Sequence, residues 1–399
     1  MFDICIIGGG ASGLISAISA KAINPSLNIA ILERLDRVGK KIATTGNGRC
    51  NISNKNLSTE NYHGQNPDFS NFALNAFNLE KTEEFFGNIG IIFKEGANGK
   101  LYPYSLQASS VVDALRFKAE KEGIKIITDC EIKKVQKKAH FIISGNETLT
   151  AKTVIFATGG KSGGKIATDS GYNLLVNLGH KLTKLSPAIV QVKTDNTYTH
   201  QLKGVKVDAE VRVNGKKDFG EVLFCDYGLS GPPILQLSRY MNKNCEILID
   251  LMPEFSISQL IDILGKRVAT LCPIDCGNFF AGMLQKRLGQ VILKKCGFSV
   301  NDTANFSKND IKNIAKTIKS FDFKFIDFNG FANAQVTHGG IATADFSNKT
   351  LMSKKVSGAF ACGEVLDIDG NCGGYNLQWA WSSGFIAGIS AAKYLGDKR

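Results

Sequence analysis

The chain has 399 residues, of which 43% are apolar and 21% charged, a composition typical of a globular protein with a sizeable core. It contains no run of about 18 uncharged apolar residues, so we expect no membrane span. Asp3 and the glycines after Ile7 do not fit a secretory signal peptide, and the ten cysteines lack the paired spacing of a zinc site. We therefore expect a cytoplasmic protein with reduced thiols and no bound metal.

The formal net charge is +12, and lysines concentrate at 118–138 and 308–324. Such a surplus could attract RNA, membranes or anionic substrates. Acidic residues interleave with the lysines, however, and no basic stripe carries aromatic side chains. We therefore expect an ordinary solvated surface rather than a nucleic-acid site.

The first predicted elements are a strand, a glycine turn, a helix and a second strand. Residues 2–7 form a nearly continuous apolar run, as expected for a strand buried on both faces of a parallel sheet. The glycine-rich stretch 8–13 follows at once, and 14–22 is a run of small and apolar residues suited to a helix packed on a sheet. Residues 28–33 then form the next strand, which ends in a carboxylate.

Gly8, Gly10 and Gly13 have the spacing of a dinucleotide-binding fingerprint. Gly8 permits the tight turn, Gly10 lets a pyrophosphate approach the backbone, and Gly13 lets the helix press on the strand. The free amides at the start of the helix then face the phosphates. Glu33 lies twenty residues beyond Gly13, where a carboxylate accepts hydrogen bonds from ribose hydroxyls. This unit predicts an ADP-containing dinucleotide.

The segment 37–51 is rich in glycine, asparagine and cations. Loops of this composition bend sharply and offer backbone amides to anions. Because the segment directly follows the nucleotide-binding unit, we interpret it as a loop that covers the pyrophosphate and the rest of the bound dinucleotide. An ordinary surface turn is the alternative.

From about residue 187 the pattern changes. Residues 187–250 alternate as strands do, and Asn214–Gly215 is a hairpin signal. Residues 256–319 are predicted to be helical, with helix starts at Ser256 and Ser307. We therefore expect an insertion, with a β part and a helical part, within the first domain.

Together these features resemble the HI0933-like flavoproteins, a branch of the two-dinucleotide-binding-domain flavoproteins that includes BaiN and aminoacetone oxidase-like enzymes. The matching segments run along most of the chain: 8–13, 39–41, 46–51, 157–160, 168–172, 220–224, 228–232 and 363–381. The last segment is the most specific, because it joins Gly363–Asp367 to Gly373–Trp381 in one continuous motif.

The resemblance implies an α/β fold: a discontinuous Rossmann-like FAD-binding domain of the two-dinucleotide-binding-domain type, with an inserted β-barrel and a helical subdomain. The expected division is 1–186 for the first part of the FAD-binding domain, 187–254 for the barrel, 255–325 for the helical subdomain, 326–338 for a return strand of the barrel, and 339–399 for the second part of the FAD-binding domain.

The resemblance also implies which residues hold FAD. Ala157–Gly160 would pass near the adenosine and phosphates, Ile132 would place backbone groups at the adenine, and Glu364 would accept a hydrogen bond from the ribityl chain. The helix that begins near Tyr375 would favour negative charge on the reduced flavin. The predicted cofactor contacts are Gly8, Gly10, Ala11, Ser12, Gly13, Glu33, Arg34, Lys40, Lys41, Gly46, Gly48, Arg49, Cys50, Asn51, Ile132, Ala157, Thr158, Gly159, Gly160, Gly363, Glu364, Asp369, Gly373, Gly374, Tyr375 and Asn376.

We therefore predict an FAD-dependent oxidoreductase with non-covalent FAD and a small-molecule substrate. The likeness to BaiN implies NAD(P)H-linked reduction of an activated C=C bond, with NAD(P)H binding transiently because no second glycine fingerprint is present. The alternatives are an amine-type oxidase that passes electrons to O2 and an RNA-associated or regulatory flavin-binding protein. No catalytic residue is assigned. His338, beside Gly339–Gly340, could act as an acid or base, but a structural role is the simpler interpretation.

Overall fold

The computed structural model describes residues 1–243 and 245–396. Its strands are, in chain order, β1 Phe2–Ile7, β2 Ile29–Leu32, β3 Ser53–Asn54, β4 Tyr62–His63, β5 Phe93–Glu95, β6 Lys100–Pro103, β7 Lys125–Ile127, β8 Lys134–Lys137, β9 Phe141–Ser144, β10 Thr148–Phe156, β11 Ser186–Ala188, β12 Val192–Thr194, β13 Lys206–Val213, β14 Lys216–Cys225, β15 Gly228–Ser230, β16 Glu246–Asp250, β17 Phe321–Phe328, β18 Val336–His338, β19 Ala359–Ala361 and β20 Asp369–Gly370. Its helices are α1 Ala11–Ile23, α2 Lys40–Thr44, α3 Asn71–Ala76, α4 Leu79–Asn88, α5 Ala108–Lys121, α6 Ser170–Val176, α7 Asn196–Thr199, α8 Pro232–Leu237, α9 Ile257–Leu271, α10 Lys286–Lys295, α11 Lys308–Lys319 and α12 Tyr375–Gly396.

The chain divides into two units. The first unit comprises Met1–Pro187 and Gln335–Arg399, and the second comprises Ala188–Ala334. The second unit therefore interrupts the first in sequence, and each unit has its own hydrophobic core.

A seven-stranded sheet forms the centre of the first unit, in the order β7-β2-β1-β10-β9-β8, with β19 also paired to β10. β1 is parallel to both β2 and β10, and β19 is parallel to β10. Ile4, Cys5 and Ile6 are fully buried. This burial explains why the run 2–7 shows no alternation of polar and apolar residues. The predicted Rossmann-like order of strand, glycine turn, helix and strand is confirmed.

Helices α1 and α12 pack backbone to backbone. A Cβ at Gly384 would lie 2.5 Å from the carbonyl oxygen of Ser12, and one at Gly388 would lie 2.2 Å from that of Ser16. Real Cβ atoms do not approach backbone so closely, so both positions require glycine. The contact fixes the long C-terminal helix against the helix of the dinucleotide fingerprint.

A closed barrel, in the order β12-β15-β14-β13-β16-β17, forms the β part of the second unit. The connection between β13 and β14 is a two-residue turn, because Val213 pairs with Lys216. Asn214 and Gly215 have φ angles of 47° and 75°, as a turn of this kind requires. The predicted Asn-Gly hairpin is confirmed.

Helices α9, α10 and α11 form the helical part of the second unit. Ser256 caps α9 and Ser307 caps α11, each in a capping box that satisfies two backbone amides reciprocally. Both predicted helix starts are confirmed. No helix in residues 1–243 and 245–396 combines the length and apolar character needed to cross a membrane.

The strand that closes the barrel differs from the predicted division of the chain. β17 begins at Phe321, inside the range 255–325 that we predicted to be helical, and it ends before most of the predicted return strand 326–338. Phe321, Phe323 and Phe325 are buried while the residues between them are exposed. This period of two is the pattern of a strand with one face in a core, and it overrides the helical signal of the preceding residues.

Candidate functional site

The carboxyl ends of three parallel strands bring the predicted glycine motifs together. The last residues of β1, β10 and β19 are paired in register. The turns that follow these strands contain Gly8–Gly13, Ala157–Gly160 and Gly363–Glu364. Ligands of open α/β sheets bind at the carboxyl ends of the strands, so this edge of the sheet is the candidate cofactor site.

The three fingerprint glycines have different steric roles. Gly8 has a φ of +106°, and a Cβ there would lie 2.4 Å from the carbonyl oxygen of Ala157. A Cβ on Gly13 would lie 2.0 Å from the carbonyl oxygen of Gly8. At Gly10, by contrast, φ is −82° and a Cβ would meet no protein atom within 4 Å. Gly10 therefore borders open space in which a ligand can lie against the backbone.

The N-terminus of α1 opens onto the same space. Its first amides, on Ala11, Ser12 and Gly13, have no acceptor within the helix, as in any α-helix. Gly10 supplies no capping side chain, and the first turn contains no acidic residue. The amides and the positive end of the helix dipole are thus suited to an anionic ligand such as a pyrophosphate.

Glu33 is held beneath the glycine turn by two backbone amides. Its Oε2 accepts a hydrogen bond of 2.8 Å from Gly9 N–H, and its Oε1 accepts one of 2.9 Å from Leu35 N–H. Cys130 N–H donates to the carbonyl oxygen of Glu33 at 2.9 Å. The segment that contains the buried Ile132 therefore runs beside the end of β2, where we predicted the adenosine.

The predicted loop 37–51 consists of α2 and a sharp turn. Gly46 and Asn47 have left-handed φ angles of 58° and 55°, and Cys50 has one of 57°. A Cβ on Gly48 would meet no atom within 4 Å. The loop therefore bends as its composition predicted and leaves Gly48 facing open space.

The four cations predicted to contact the cofactor all have protein partners. Arg34 Nη2 donates to the carbonyl oxygen of Ile166 at 2.9 Å, Lys40 forms an ion pair with Asp36, Lys41 Nζ lies 2.6 Å from Glu364 Oε2, and Arg49 Nε donates to the carbonyl oxygen of Gly46 at 3.2 Å. The guanidinium of Arg49 also lies over the ring of Tyr102. Each of the four side chains is therefore held by a contact within the protein.

Glu364 connects three parts of the first unit. Besides Lys41, its carboxylate accepts a hydrogen bond of 2.8 Å from Thr337 N–H through Oε1. Only 18% of the Glu364 side chain and 31% of the Lys41 side chain is exposed. The ion pair therefore ties the loop 37–51 to β18 and to the turn after β19.

The start of α12 completes the candidate site. Gly374 has a φ of +105°, and a Cβ there would lie 2.5 Å from the carbonyl oxygen of Ser53. The side-chain oxygen of Asn51, which would lie 3.0 Å from that Cβ, is buried without a hydrogen-bond partner in the described residues. A buried oxygen without a partner can accept a hydrogen bond from a polar ligand. These features, with the open space at Gly10, fit a bound dinucleotide such as FAD.

Two of the predicted contacts at α12 use their side chains for the protein itself. The Asn376 amide accepts from Gly370 N–H at 2.7 Å and donates to the carbonyl oxygen of Gly370 at 2.9 Å. Tyr375 OH donates to the carbonyl oxygen of Asn56. Their side chains therefore hold the loop before α12, and any contact with a cofactor falls to their backbone groups.

Two cysteines near the site, Cys50 and Cys362, are buried thiols, whereas Cys372 in the loop before α12 is exposed. Burial raises the pKa of Cys50 to about 12 and that of Cys362 to about 11. Thiols with such pKa values stay protonated at neutral pH and are poor nucleophiles. Among the described residues, no cluster of His, Cys, Asp and Glu is arranged to hold a metal ion.

One arrangement was missed by sequence reasoning. His338 Nδ1 lies 2.7 Å from Asp369 Oδ1, and β20 pairs with β4 so that Asp369 faces His63. We had predicted Asp369 as a cofactor contact and His338 as structural. Their separation in sequence carries no spacing signal, so only the fold brings these residues together.

The HI0933-like protein Rossmann domain family matches residues 2–390. The chain is 36% identical to the 3-dehydro-bile acid delta(4,6)-reductase of Clostridium scindens, over 98% of this chain and 100% of the relative. It is 30% identical to the ribosomal RNA dihydrouridine synthase of Haemophilus influenzae, over 97% of this chain and 98% of the relative. A quinol fumarate reductase of Escherichia coli has a similar fold, with a TM-score of 0.52 and 14% identity over 100% of this chain and 71% of that one.

These similarities bear on three predictions. The Rossmann-like α/β fold is confirmed, and so is the predicted class of enzyme, an FAD-dependent oxidoreductase. The residues that contact FAD stay predictions. The match along nearly the whole chain establishes that the protein belongs to the HI0933-like family.

Proposed function

We propose that this protein uses FAD to reduce a carbon–carbon double bond that is conjugated to a carbonyl group. The observation that carries this proposal is the chemistry shared by the two relatives named above. A 3-dehydro-bile acid with a delta-4 double bond is a conjugated enone, and dihydrouridine is uridine whose ring double bond, conjugated to a carbonyl, has been saturated. A double bond conjugated to a carbonyl group accepts a hydride at its β-carbon, the alkene carbon that is not bonded to the carbonyl carbon.

The candidate site supports this function with a cradle for the cofactor. In our proposal the amides of Gly10–Gly13 bind the pyrophosphate, Glu33 accepts from the adenosine ribose, and the backbone of Gly373–Asn376 borders the flavin ring. FAD, when bound there, supplies the hydride. In this proposal the protein binds the cofactor and orients it.

We further propose that NAD(P)H is the electron donor and that FAD is bound non-covalently. We expect the purified protein to be yellow, to bleach anaerobically with NADH or NADPH, and to regain its colour when an enone such as 4-androstene-3,17-dione is added. The saturated ketone is the matched control and should leave the protein bleached. A protein that reduces neither the enone nor uridine in RNA would contradict the function, and hydrogen peroxide formed from an amine would favour an oxidase.

Ribosomal RNA is a second candidate substrate, and a specific surface favours it. Lys308, Lys312 and Lys316 lie one turn apart along α11, and all three are exposed. None of them forms an ion pair or side-chain hydrogen bond within the described residues. The segment 265–320 contains ten lysines and arginines but three acidic residues. We call Lys308, Lys312 and Lys316 the lysine row.

We expect the triple substitution K308E/K312E/K316E to weaken binding of transcribed ribosomal RNA by at least about 100-fold at low salt, because electrostatic contacts to phosphates dominate such affinities. The slope of log affinity against log salt should fall by up to about 2.7. The matched control is K121E/K134E/K138E, which makes the same charge change at exposed lysines of the first unit. Equal binding by the two triple variants would show that the lysine row contacts no RNA.

A further inference from the structure

A histidine and a buried aspartate form a pair at the edge of the candidate site. His338 Nδ1 lies 2.7 Å from Asp369 Oδ1. The Asp369 side chain is fully buried, whereas 38% of the His338 side chain is exposed. A carboxylate oxygen accepts hydrogen bonds, so we infer that Nδ1 is the donor in this contact and that Nε2 is the nitrogen that exchanges a proton.

Two more titratable side chains surround this pair. Asp367 is buried, and burial raises the pKa of its carboxyl group. Its Oδ2 accepts a hydrogen bond of 3.2 Å from Gln65 N–H. His63 Nε2 lies 2.7 Å from the side-chain oxygen of Asn371. The ring of His338 thus contacts a carboxylate oxygen, and the ring of His63 contacts an amide oxygen.

The backbone on both sides of the pair leads to predicted cofactor contacts. Thr337, next to His338, donates its N–H to Glu364 Oε1 at 2.8 Å. Gly370, next to Asp369, donates its N–H to Asn376 Oδ1 at 2.7 Å. The His338–Asp369 pair is thus next in sequence to residues that bond to the turn after β19 and to the start of α12.

We propose that His338 is the catalytic acid of the reduction and that Asp369 is the residue that positions it. The assignment rests on the proposed function. Reduction of a conjugated double bond adds one hydride and one proton: the hydride forms a C–H bond at the β-carbon, the π electrons move toward the carbonyl, and the α-carbon takes a proton from His338 Nε2. Solvent returns the proton to His338, and NAD(P)H supplies the electron pair through FAD.

The surroundings of His338 differ from those of a histidine that serves only packing. A histidine that serves only packing is enclosed by its neighbours, as His180 is, with 3% exposure. His338 instead combines a buried, orienting carboxylate with an exposed ring. This is the arrangement of a general acid that must meet a substrate.

The test separates the two halves of the reaction by anaerobic stopped-flow absorbance. We expect His338→Gln to bind FAD and to be reduced by NAD(P)H as the wild type is, but to be reoxidised by the enone about 100- to 1,000-fold more slowly, as for loss of a general acid. Reoxidation by ferricyanide, which takes electrons without a proton, should be unchanged. His140→Gln, the same substitution at an exposed histidine of the first unit, is the matched control and should reoxidise at the wild-type rate.

A second readout does not depend on turnover. In ¹⁵N NMR of the protein with labelled histidines, we expect neutral His338 to carry its hydrogen on Nδ1. We expect Asp369→Asn to change this tautomer and also to change the pH profile of reoxidation by the enone. The assignment of His338, but not the proposed function, would be overturned if the wild type turns over and His338→Gln is reoxidised by the enone at the same rate. An Nε2–H tautomer in the wild type would have the same consequence. A wild-type protein that neither the enone nor uridine in RNA reoxidises would overturn the proposed function and this assignment with it.

Discussion

Gly10→Ala should raise the dissociation constant for FAD by about 100-fold, equivalent to about 2.7 kcal/mol, while the FAD-free protein keeps its stability. Gly10 has an ordinary φ of −82°, and its added Cβ would meet no protein atom within 4 Å. The methyl group therefore conflicts with no part of the protein. It would instead occupy the space in which we place the pyrophosphate, at the first amides of α1. Fluorescence titration of the FAD-free protein measures the affinity.

The matched control for this experiment is Gly87→Ala. Gly87 lies in α4, where a Cβ also meets no atom within 4 Å, but the position is remote in sequence from every predicted cofactor contact. We expect its affinity for FAD to equal that of the wild type. If Gly10→Ala binds FAD as tightly as Gly87→Ala does, the pyrophosphate does not lie against Gly10, and the assignment of the fingerprint is wrong.

Gly388→Ala should destabilise the first unit by about 2–3 kcal/mol, the range expected for an overpacked core. The added Cβ would lie 2.2 Å from the carbonyl oxygen of Ser16 in α1. Since that atom belongs to backbone, no rotamer change relieves the overlap, and α1 and α12 must separate. The separation would also shift the first turn of α12, so we expect weaker FAD binding as a consequence.

Tryptophan fluorescence during urea unfolding measures this effect selectively. The chain contains two tryptophans, Trp379 and Trp381, and both are buried in α12. The signal therefore reports the first unit rather than the second. Gly87→Ala again provides the control, because the same substitution at an open helical position should stabilise the helix by about 0.5–1 kcal/mol. Equal unfolding midpoints for the two variants would contradict the close packing of α1 on α12.

The glycines at the contact of α1 with α12 and at the start of α1 are of two kinds. Gly13 and Gly388 are glycine because protein backbone occupies the place of a side chain, whereas Gly10 is glycine although the protein leaves that place empty. The first kind of position affects the stability of the fold. The second kind affects the ligand. Measuring stability and FAD affinity for the same variants therefore distinguishes structural glycines from those that face the cofactor.

The sequence alone was sufficient for elements whose cause is local. The buried strand 2–7 follows from an unbroken apolar run, and the Asn214–Gly215 hairpin follows from two residues that adopt positive φ readily. The capped start of α11 follows from the bonds between Ser307 and Asp310. Each of these interactions spans only a few residues, so the local sequence contains all of the information.

Other features depended on contacts between distant residues. The predicted boundary between the helical part and the last barrel strand differs from the observed start of β17 at Phe321. This strand directly follows a helical segment, and its pairing partners in the barrel, which are distant in sequence, define it as a strand. The Lys41–Glu364 ion pair joins two predicted cofactor contacts that no spacing rule connects. Composition and periodicity predict which residues are buried, but they do not predict which side chains meet across the fold.

The His338–Asp369 pair is the clearest case of that limit. The sequence showed a histidine beside two glycines and, separately, an aspartate before a glycine-rich helix start. β18 and β20 bring the two side chains within 2.7 Å of each other, and burial of one and exposure of the other follow from the packing of the first unit.

The sequence by itself determined the family, the fold class and the dinucleotide fingerprint, because these depend on short motifs. Only the tertiary structure decided which acid orients which histidine, because hydrogen bonds between distant residues form only once the core has packed.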